Sequence, residues 1–146
     1  MIAGIVLAAG FSRRMGRPKL LLQLQGKPVL RWAVERLLSH VEDLVVVTGQ
    51  DDAPIREALA GLAVRFAVNP APQAGQGSSI AVGVAALKPW TRAVLIALGD
   101  QPRLPDTVVP ALVEALGRSG KAIVAPVYRG TQGNPVLFSA AVFPEL

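Results

Sequence analysis

Cysteine is absent from this chain, histidine occurs once, and aromatic residues make up 5% of 146 positions. Without thiols there is no disulfide framework and no thiolate zinc site, and a lone His40 excludes every multi-histidine metal site. His40 is expected at a helix end. No apolar run reaches the roughly 18 to 20 residues that a membrane span needs, and no basic region precedes the N-terminal apolar stretch as it would in a signal peptide. The formal net charge is +5. Nucleic-acid binding is a poor account of it, because aromatics are scarce and arginines gather near one loop rather than along a stripe. An anionic small molecule explains the charge better. The length suits one domain with a real core, so the expectation is a cytoplasmic protein with neither nucleic-acid nor membrane partners.

The most informative stretch is Leu7-Ala8-Ala9-Gly10-Phe11-Ser12-Arg13-Arg14-Met15-Gly16-Arg17-Pro18-Lys19. It sets a small-residue turn and a group of cations directly after an apolar strand, Ile2 to Leu7. Ala8, Ala9 and Gly10 leave little bulk between backbone and ligand, so main-chain N–H groups can face phosphate oxygens. Arg13, Arg14, Arg17 and Lys19 add planar forks and a point charge suited to a triphosphate. A solvated basic loop is the alternative, and the position after a strand and a Gly turn weighs against it. A Walker A loop is excluded by the spacing of Gly10 and Gly16 and by Arg17-Pro18 where Lys and Ser/Thr should stand. The dinucleotide pattern G-x-G-x-x-G is also missing. Pro18 keeps the segment an extended loop rather than a helix start.

Apolar runs alternate with helical patterns, as in a parallel sheet with crossover helices. Strands are expected at Ile2 to Leu7, Leu44 to Thr48, Val64 to Val68, Ala93 to Leu98 and Ala122 to Pro126, with a further one at Val136 to Phe138. Helices are expected over Val29 to Ser39, Pro54 to Leu62, Ser78 to Leu87 and Thr107 to Leu116, the last with Asp106 as N-cap. Ligands of such sheets collect beyond the carboxyl ends of the strands. Gly10, the segment Asn69 to Ser79, and Asp100 all fall there. Gly75-Gln76-Gly77-Ser78-Ser79 opens a helix and offers N–H groups and hydroxyls to an anion or base; an ordinary Ser N-cap after a turn is the competing reading. Asp100 follows Gly99, which is expected to let a hydrated cation approach the carboxylate. Mg²⁺ on substrate phosphates needs only one or two protein carboxylates.

The pattern L-A-A-G-x-S-x-R-M-G-x-x-K over residues 7–19 resembles the signature of the MobA-like nucleotidyltransferases. Asn69-Pro70, Gly75 to Ser79, Gly99-Asp100-Gln101-Pro102 and Gly133-Asn134-Pro135-Val136 follow in the order and approximate spacing of that family's molybdenum cofactor cytidylyltransferase branch. The resemblance implies an α/β fold, a Rossmann-like three-layer sandwich with a mostly parallel sheet of the nucleotide-diphospho-sugar transferase type. It implies transfer of CMP from CTP to the phosphate of molybdopterin, with pyrophosphate leaving. Lys19, Arg14 and Asp100 would be catalytic, with Asp100 the Mg²⁺ ligand. Leu7, Ala8, Ala9, Gly10, Lys19, Asn69, Gly75, Ser78 and Ser79 would hold the nucleotide, and Gln101 and Asn134 the acceptor. A recipient molybdoenzyme or its chaperone would be a further partner.

Relatives using GTP tend to carry Leu-Ala-Gly-Gly where this chain has Leu7-Ala8-Ala9-Gly10, so the methyl of Ala9 is expected to narrow the base pocket toward a pyrimidine. Gly133-Asn134-Pro135 departs from the Gly-His-Pro of many cytidylyltransferase relatives; Asn134 donates and accepts hydrogen bonds but does not titrate near neutrality. A turn before the next strand explains Asn134 equally well. Two other readings stay open: a sugar- or polyol-phosphate nucleotidyltransferase, and a non-catalytic module that delivers nucleotide or cofactor. The final residues, Ser139 to Leu146, read as an uncapped opening of an amphipathic helix. Residues 1–146 are therefore expected to be one nucleotidyltransferase domain lacking the family's C-terminal segment, whose acidic residue would give the metal a second carboxylate.

Overall fold

A computed structural model describes residues 1–9, 13–14 and 17–146, with side chains described for 1–9 and 19–146. The N-terminal strand β1 (Ile2–Leu7) is followed by two short antiparallel ladders. The first pairs β2 (Arg13–Arg14) with β3 (Arg17–Pro18), and the second β4 (Gln23–Leu24) with β5 (Lys27–Pro28). Helix α1 (Val29–Leu38), strand β6 (Asp43–Thr48), helix α2 (Ala53–Ala58) and strand β7 (Arg65–Val68) come next, then α3 (Gln76–Ala85), β8 (Ala93–Leu98) and α4 (Val108–Ser119). The remainder is β9 (Ile123–Val124), a small hairpin of β10 (Val127–Tyr128) with β11 (Thr131–Gln132), β12 (Val136–Ser139), and a terminal 3₁₀ turn, Ala140–Glu145.

Six strands form the central sheet in the order β7-β6-β1-β8-β12-β9. β7, β6, β1 and β8 run parallel, while β12 lies antiparallel to β8 and to β9. This is a mostly parallel sheet of the expected class. β1, β6 and β8 lie at its centre and are almost wholly apolar because both of their faces are covered. Alternate side chains serve the two layers. Val6, Leu44, Val46 and Leu95 join α1 through Leu30, Val34 and Leu37, α2 through Ile55, and α4 through Val109 and Leu112. Ile5, Val45, Val47, Val94 and Ile96 face the other way, against Ile80 and Val84 of α3 and Phe138 and Phe143 near the C-terminus.

Several boundaries differ from expectation, each for a local reason. α2 ends at Ala58, where Leu59 leaves helical geometry at φ −107° and ψ 12°, and Gly61, at φ 85°, keeps the chain from resuming it before Leu62. The segment expected as Ala122 to Pro126 forms only the two residues of β9, since only Ile123 and Val124 find partners on β12. Asp106 is not the N-cap of α4: Thr107 holds that position without a side-chain cap bond, and Asp106 instead accepts from Arg36 Nη1 at 3.3 Å. The C-terminal residues make a 3₁₀ turn capped by Ser139, whose Oγ accepts from the Ala141 amide at 3.3 Å. The β4–β5 hairpin escapes sequence reading because its strands are two residues long; Gln25 and Gly26, at φ 50° and 85°, make its turn.

One ion pair braces the edge of the sheet away from the strands' carboxyl ends. Asp43 opens β6 and is buried, and Arg65 opens β7; the guanidinium donates from Nε to Oδ1 at 3.0 Å and from Nη2 to Oδ2, and reaches the Ala86 carbonyl after α3 at 3.0 Å. The hydrogen bonds and charge of Arg65 hold the Asp43 carboxyl below the usual carboxylate range although burial pushes it up, and Asp43 in turn raises Arg65. A depressed folded-state pKa gives stability that is present above the ordinary aspartate range and lost as pH falls through the folded value. Asp43→Asn should therefore cost about 1 to 2 kcal/mol near pH 7, a charged hydrogen bond's worth discounted for the half-exposed arginine. Denaturant titrations of both proteins should show that gap closing as pH drops below about 4.

Candidate functional site

The parallel pairing of β1 with β8 runs in register from Ile2↔Ala93 to Leu7↔Leu98, so the two strands leave the sheet side by side. Beyond them lies an open cleft of about 350 Å³. Leu7, Leu20, Pro72 and Leu98 form its apolar walls, and Lys19, Gln76, Ser79 and Asp100 its polar ones, with Gly75 and Gly99 between them. Ten chain positions drawn from four separate segments thus meet at the carboxyl edge of the sheet, where ligands of open α/β sheets collect.

Lys19 begins a 3₁₀ turn, Lys19–Leu21, whose next residue, Leu20, is buried beneath α1. That anchor fixes the backbone while leaving the lysine side chain free to reach outward. Its ammonium lies 3.4 Å from Asp100 Oδ2, and both side chains are well exposed, at 42% and 35%. Asp100 follows Gly99, whose amide donates to the Leu7 carbonyl at 3.2 Å. The requirement for glycine there is steric. A Cβ on Gly99 would sit 2.8 Å from Leu30 Cδ1 and 3.3 Å from the Leu7 carbonyl oxygen, so packing against α1, rather than space for a hydrated cation, excludes a side chain.

The loop before α3 is held by Asn69. This residue is 2% exposed; its amide donates to the Thr48 carbonyl at 2.7 Å and its Oδ1 accepts from the Ala71 amide at 2.9 Å. Its Nδ2 donates to Ser78 Oγ at 2.9 Å and Ser79 Oγ at 3.0 Å. Ser78 Oγ in turn donates to the Gly75 carbonyl at 2.6 Å. Gly75, at φ 109°, turns the chain into α3 in a conformation that side chains rarely adopt. Asn69 and Ser78 are therefore engaged within the protein, and their effect on a ligand runs through the backbone that they fix. Ser79 is buried, lines the cleft, and keeps its hydroxyl proton available.

The remaining expected residues divide by position. Leu7, Lys19, Gly75, Ser79 and Asp100 meet in the cleft, together with Gln76, which sequence reading did not select although it sits within the Gly75 to Ser79 motif. The Ala8 amide donates to the Val47 carbonyl at 2.8 Å and its methyl is buried, so it is not free to hold a phosphate. Ala9 packs in the layer beside α3 and is not among the cleft-lining residues. Gly10 lies outside the described residues, as does the side chain of Arg14; the Arg14 backbone pairs with Arg17. Gln101 and Asn134 do not line the cleft either. Continuing the β12–β8 register brings Asn134 alongside Leu98, at the same edge of the sheet, and its carbonyl accepts from the Tyr128 hydroxyl at 3.4 Å.

The geometry is that of an α/β domain whose cleft at the carboxyl edge of the sheet holds, among the described residues, the contacting pair Lys19 and Asp100. Residues 4–146 match the MobA-like NTP transferase domain, and the chain belongs to that family. It is 28% identical to a probable molybdenum cofactor guanylyltransferase of Thermococcus gammatolerans, over 91% of this chain and 66% of the relative. It is 35% identical to the bifunctional protein GlmU of Sorangium cellulosum, over 85% of this chain and 28% of that protein, so it spans between a quarter and two thirds of the length of these relatives. The nicotine blue oxidoreductase of Paenarthrobacter nicotinovorans is 34% identical, with 99% of this chain and 74% of that protein covered. Among solved structures, a nucleotidyl transferase from Methanothermobacter thermautotroptrophicus superposes with a TM-score of 0.85 at 28% identity, and Rv0371c of Mycobacterium tuberculosis in complex with manganese with 0.81 at 27%; each covers 99% of this chain, which covers 74% and 73% of theirs. No helix among the described residues is long and apolar enough to cross a membrane.

Removing the Asn69 clasp separates positioning from folding. Asn69→Ala should lower stability by about 1 to 3 kcal/mol, the cost of leaving buried partners unpaired, and should also weaken nucleotide binding because the start of α3 drifts. Unchanged nucleotide affinity by calorimetry, in a variant still folded at the assay temperature, would show that the loop holds its shape without the asparagine.

Proposed function

We propose that this protein transfers CMP from CTP to the phosphate of a molybdopterin-type acceptor, releasing pyrophosphate. The observation that carries nucleotidyl transfer is the Lys19–Asp100 pair, 3.4 Å apart and exposed, at the mouth of a cleft between β1, β8 and the start of α3. An exposed pair contributes at most about 1 kcal/mol, so a ligand bearing several phosphate charges can separate it at little cost. Lys19 then turns to the phosphates and leaves the carboxylate open.

An acceptor phosphate oxygen attacks the α-phosphorus in line, the bond from that phosphorus to the bridging oxygen breaks, and pyrophosphate departs with the bridging oxygen. Such chemistry rests on positioning and charge stabilisation rather than on a covalent intermediate. Lys19 neutralises charge that builds on the triphosphate. Arg14, expected beside it from the sequence, would add a second cation. The Gly75 amide donates to the Pro72 carbonyl at 3.1 Å, so the backbone N–H groups offered to the nucleotide are those of Gln76 and Gly77 at the start of α3, with the Ser79 hydroxyl beside them. The donor set fits a magnesium ion shared with the triphosphate: Asp100 offers an exposed carboxylate in the cleft, and Mg²⁺ commonly takes one or two carboxylates with the rest of its shell from phosphates and water. Asp100 would hold it, and the bound ion would supply positive charge at the phosphate oxygens.

The choice of CTP is supported by Ala9 in place of the second glycine of the first loop. Because Ala9 faces the α3 layer, its influence on the base would pass through the backbone of the loop. Relatives named as guanylyltransferases support GTP as the second reading. Pyrophosphate release with molybdopterin, measured in parallel with CTP and GTP, should favour CTP; the reverse preference would assign the guanylyl reaction. Turnover with sugar or polyol phosphates alone would move the protein to that class. Nucleotide binding without turnover on any acceptor would leave the delivery role.

Lys19→Ala should reduce kcat/KM by about 10² to 10³, the loss typical of one transition-state charge partner, while the melting temperature stays near that of the parent. Asp100→Asn should keep the fold and weaken the dependence of rate on Mg²⁺. Parent-like activity in a folded Lys19→Ala protein would remove the ion pair from the site.

A further inference from the structure

A second concavity lies on the other flank of the segment that carries Asp100. Its volume is about 360 Å³, and Leu24, Trp32, Arg36, Pro102, Arg103 and Leu104 are among its walls. Small-molecule sites begin at about 300 Å³ and combine apolar and aromatic walls with a few polar groups. The indole of Trp32 is fixed in place, because its Nε1–H donates to the Leu24 carbonyl at 2.6 Å. The Lys27 ammonium stands 4.2 Å from the ring centroid, in an adjoining smaller concavity that shares Trp32 and Arg36.

The charge around the ring is positive in balance. Lys27 pairs with Glu35 at 3.0 Å and Arg36 with Asp106 at 3.3 Å, whereas no hydrogen bond or ion pair to a described residue engages Arg103. The Arg36–Asp106 pair is exposed, with 75% of the Asp106 side chain open to solvent, and exposed pairs exchange partners at small cost. Two guanidinium groups beside an immobilised indole match one ligand chemistry: a flat ring that stacks on the tryptophan and a phosphate that takes the arginine forks. Such a ring is preorganised to bind, since little side-chain freedom remains to be lost.

We propose that this groove is a second ligand site, separate from the cleft, for a planar heteroaromatic compound bearing a phosphate group. Two sources share that chemistry, a nucleotide and a phosphorylated pterin. Residues 100–105 form part of both walls, Asp100 on the cleft and Pro102 to Pro105 on the groove, so occupancy of the groove acts on the stretch of backbone that carries the carboxylate.

The test uses the full chain labelled with 5-fluorotryptophan in a Trp90→Phe background, which leaves Trp32 as the one fluorine reporter. CMP and 6-hydroxymethylpterin phosphate are titrated separately, with inorganic phosphate as a third arm. A saturable shift of the Trp32 resonance is expected with at least one organic probe, and the probe that binds more tightly identifies the source. The shift should persist in Lys19→Ala and require about tenfold more ligand in Arg103→Ala, the effect of losing one charged partner. Arg103 is exposed, so its substitution leaves the core intact. No shift with either probe would overturn the proposal. So would a shift that disappears in Lys19→Ala but survives in Arg103→Ala, or one that inorganic phosphate reproduces equally well.

Discussion

The parallel ladder between β1 and β8 is the constraint on which the rest of the structure depends. Its register sets Leu7 opposite Leu98, so two segments more than eighty residues apart in sequence leave the sheet at adjacent points. Both strands lie in the interior of the sheet, where nearly every side chain is apolar and a one-residue slip would exchange the two buried faces. Burial on both sides therefore fixes the register more firmly than backbone hydrogen bonds alone would. The polar groups at the carboxyl edge inherit that precision. Leu20, packed under α1 immediately after Lys19, and Gly99, packed against Leu30 immediately before Asp100, carry it to the two charges.

The legible part of this fold was the part with strong periodicity. β1 and β8 could be delimited to the residue because each is a continuous apolar run closed by a small residue, and α1 to within one residue, Ser39 being its C-cap, because its apolar positions recur at helical spacing. The two-residue strands carry no periodicity at all, and only the Gln25-Gly26 turn marks one of them. Asp106 before Thr107 has the look of a cap, but a longer-range partner on α1 wins its carboxylate. No local pattern could have indicated Arg36.

At the site, sequence placed Leu7, Lys19, Gly75, Ser79 and Asp100 among the residues that line one cleft, but it also named Ala8, Ala9, Gln101 and Asn134, which do not line it, and passed over Gln76. Asn69, Ser78 and Ser79 form one constellation in the chain, yet burial gives them different tasks. Asn69 is enclosed and uses its donors and acceptor within the protein; Ser78 bonds back to the turn; Ser79 reaches the cleft. Likewise the small residues after β1 look alike in sequence, but sheet pairing engages the Ala8 amide, while Ala9 faces the layer beside α3. Such distinctions depend on which side of a strand or loop a group leaves, and that is decided by neighbours distant in the chain.

Two acid–base pairs in this protein show how exposure separates support from function. Asp43 and Arg65 are both anchored at strand starts, the carboxylate is buried, and the guanidinium also holds a helix end. Breaking that pair would strand a charge away from water, so it is a poor place for a ligand to enter. Lys19 and Asp100 have the opposite character: a single side-chain contact of 3.4 Å, no further side-chain hydrogen bond among the described residues, and open solvent on both side chains. Their attraction is too weak to stabilise the fold appreciably, and the neighbouring backbone is held instead by buried Leu20 and by Gly99 packed against Leu30. Under the proposed function, a phosphate-bearing ligand would displace the Lys19–Asp100 contact at small cost, whereas the Asp43–Arg65 pair would resist the same exchange.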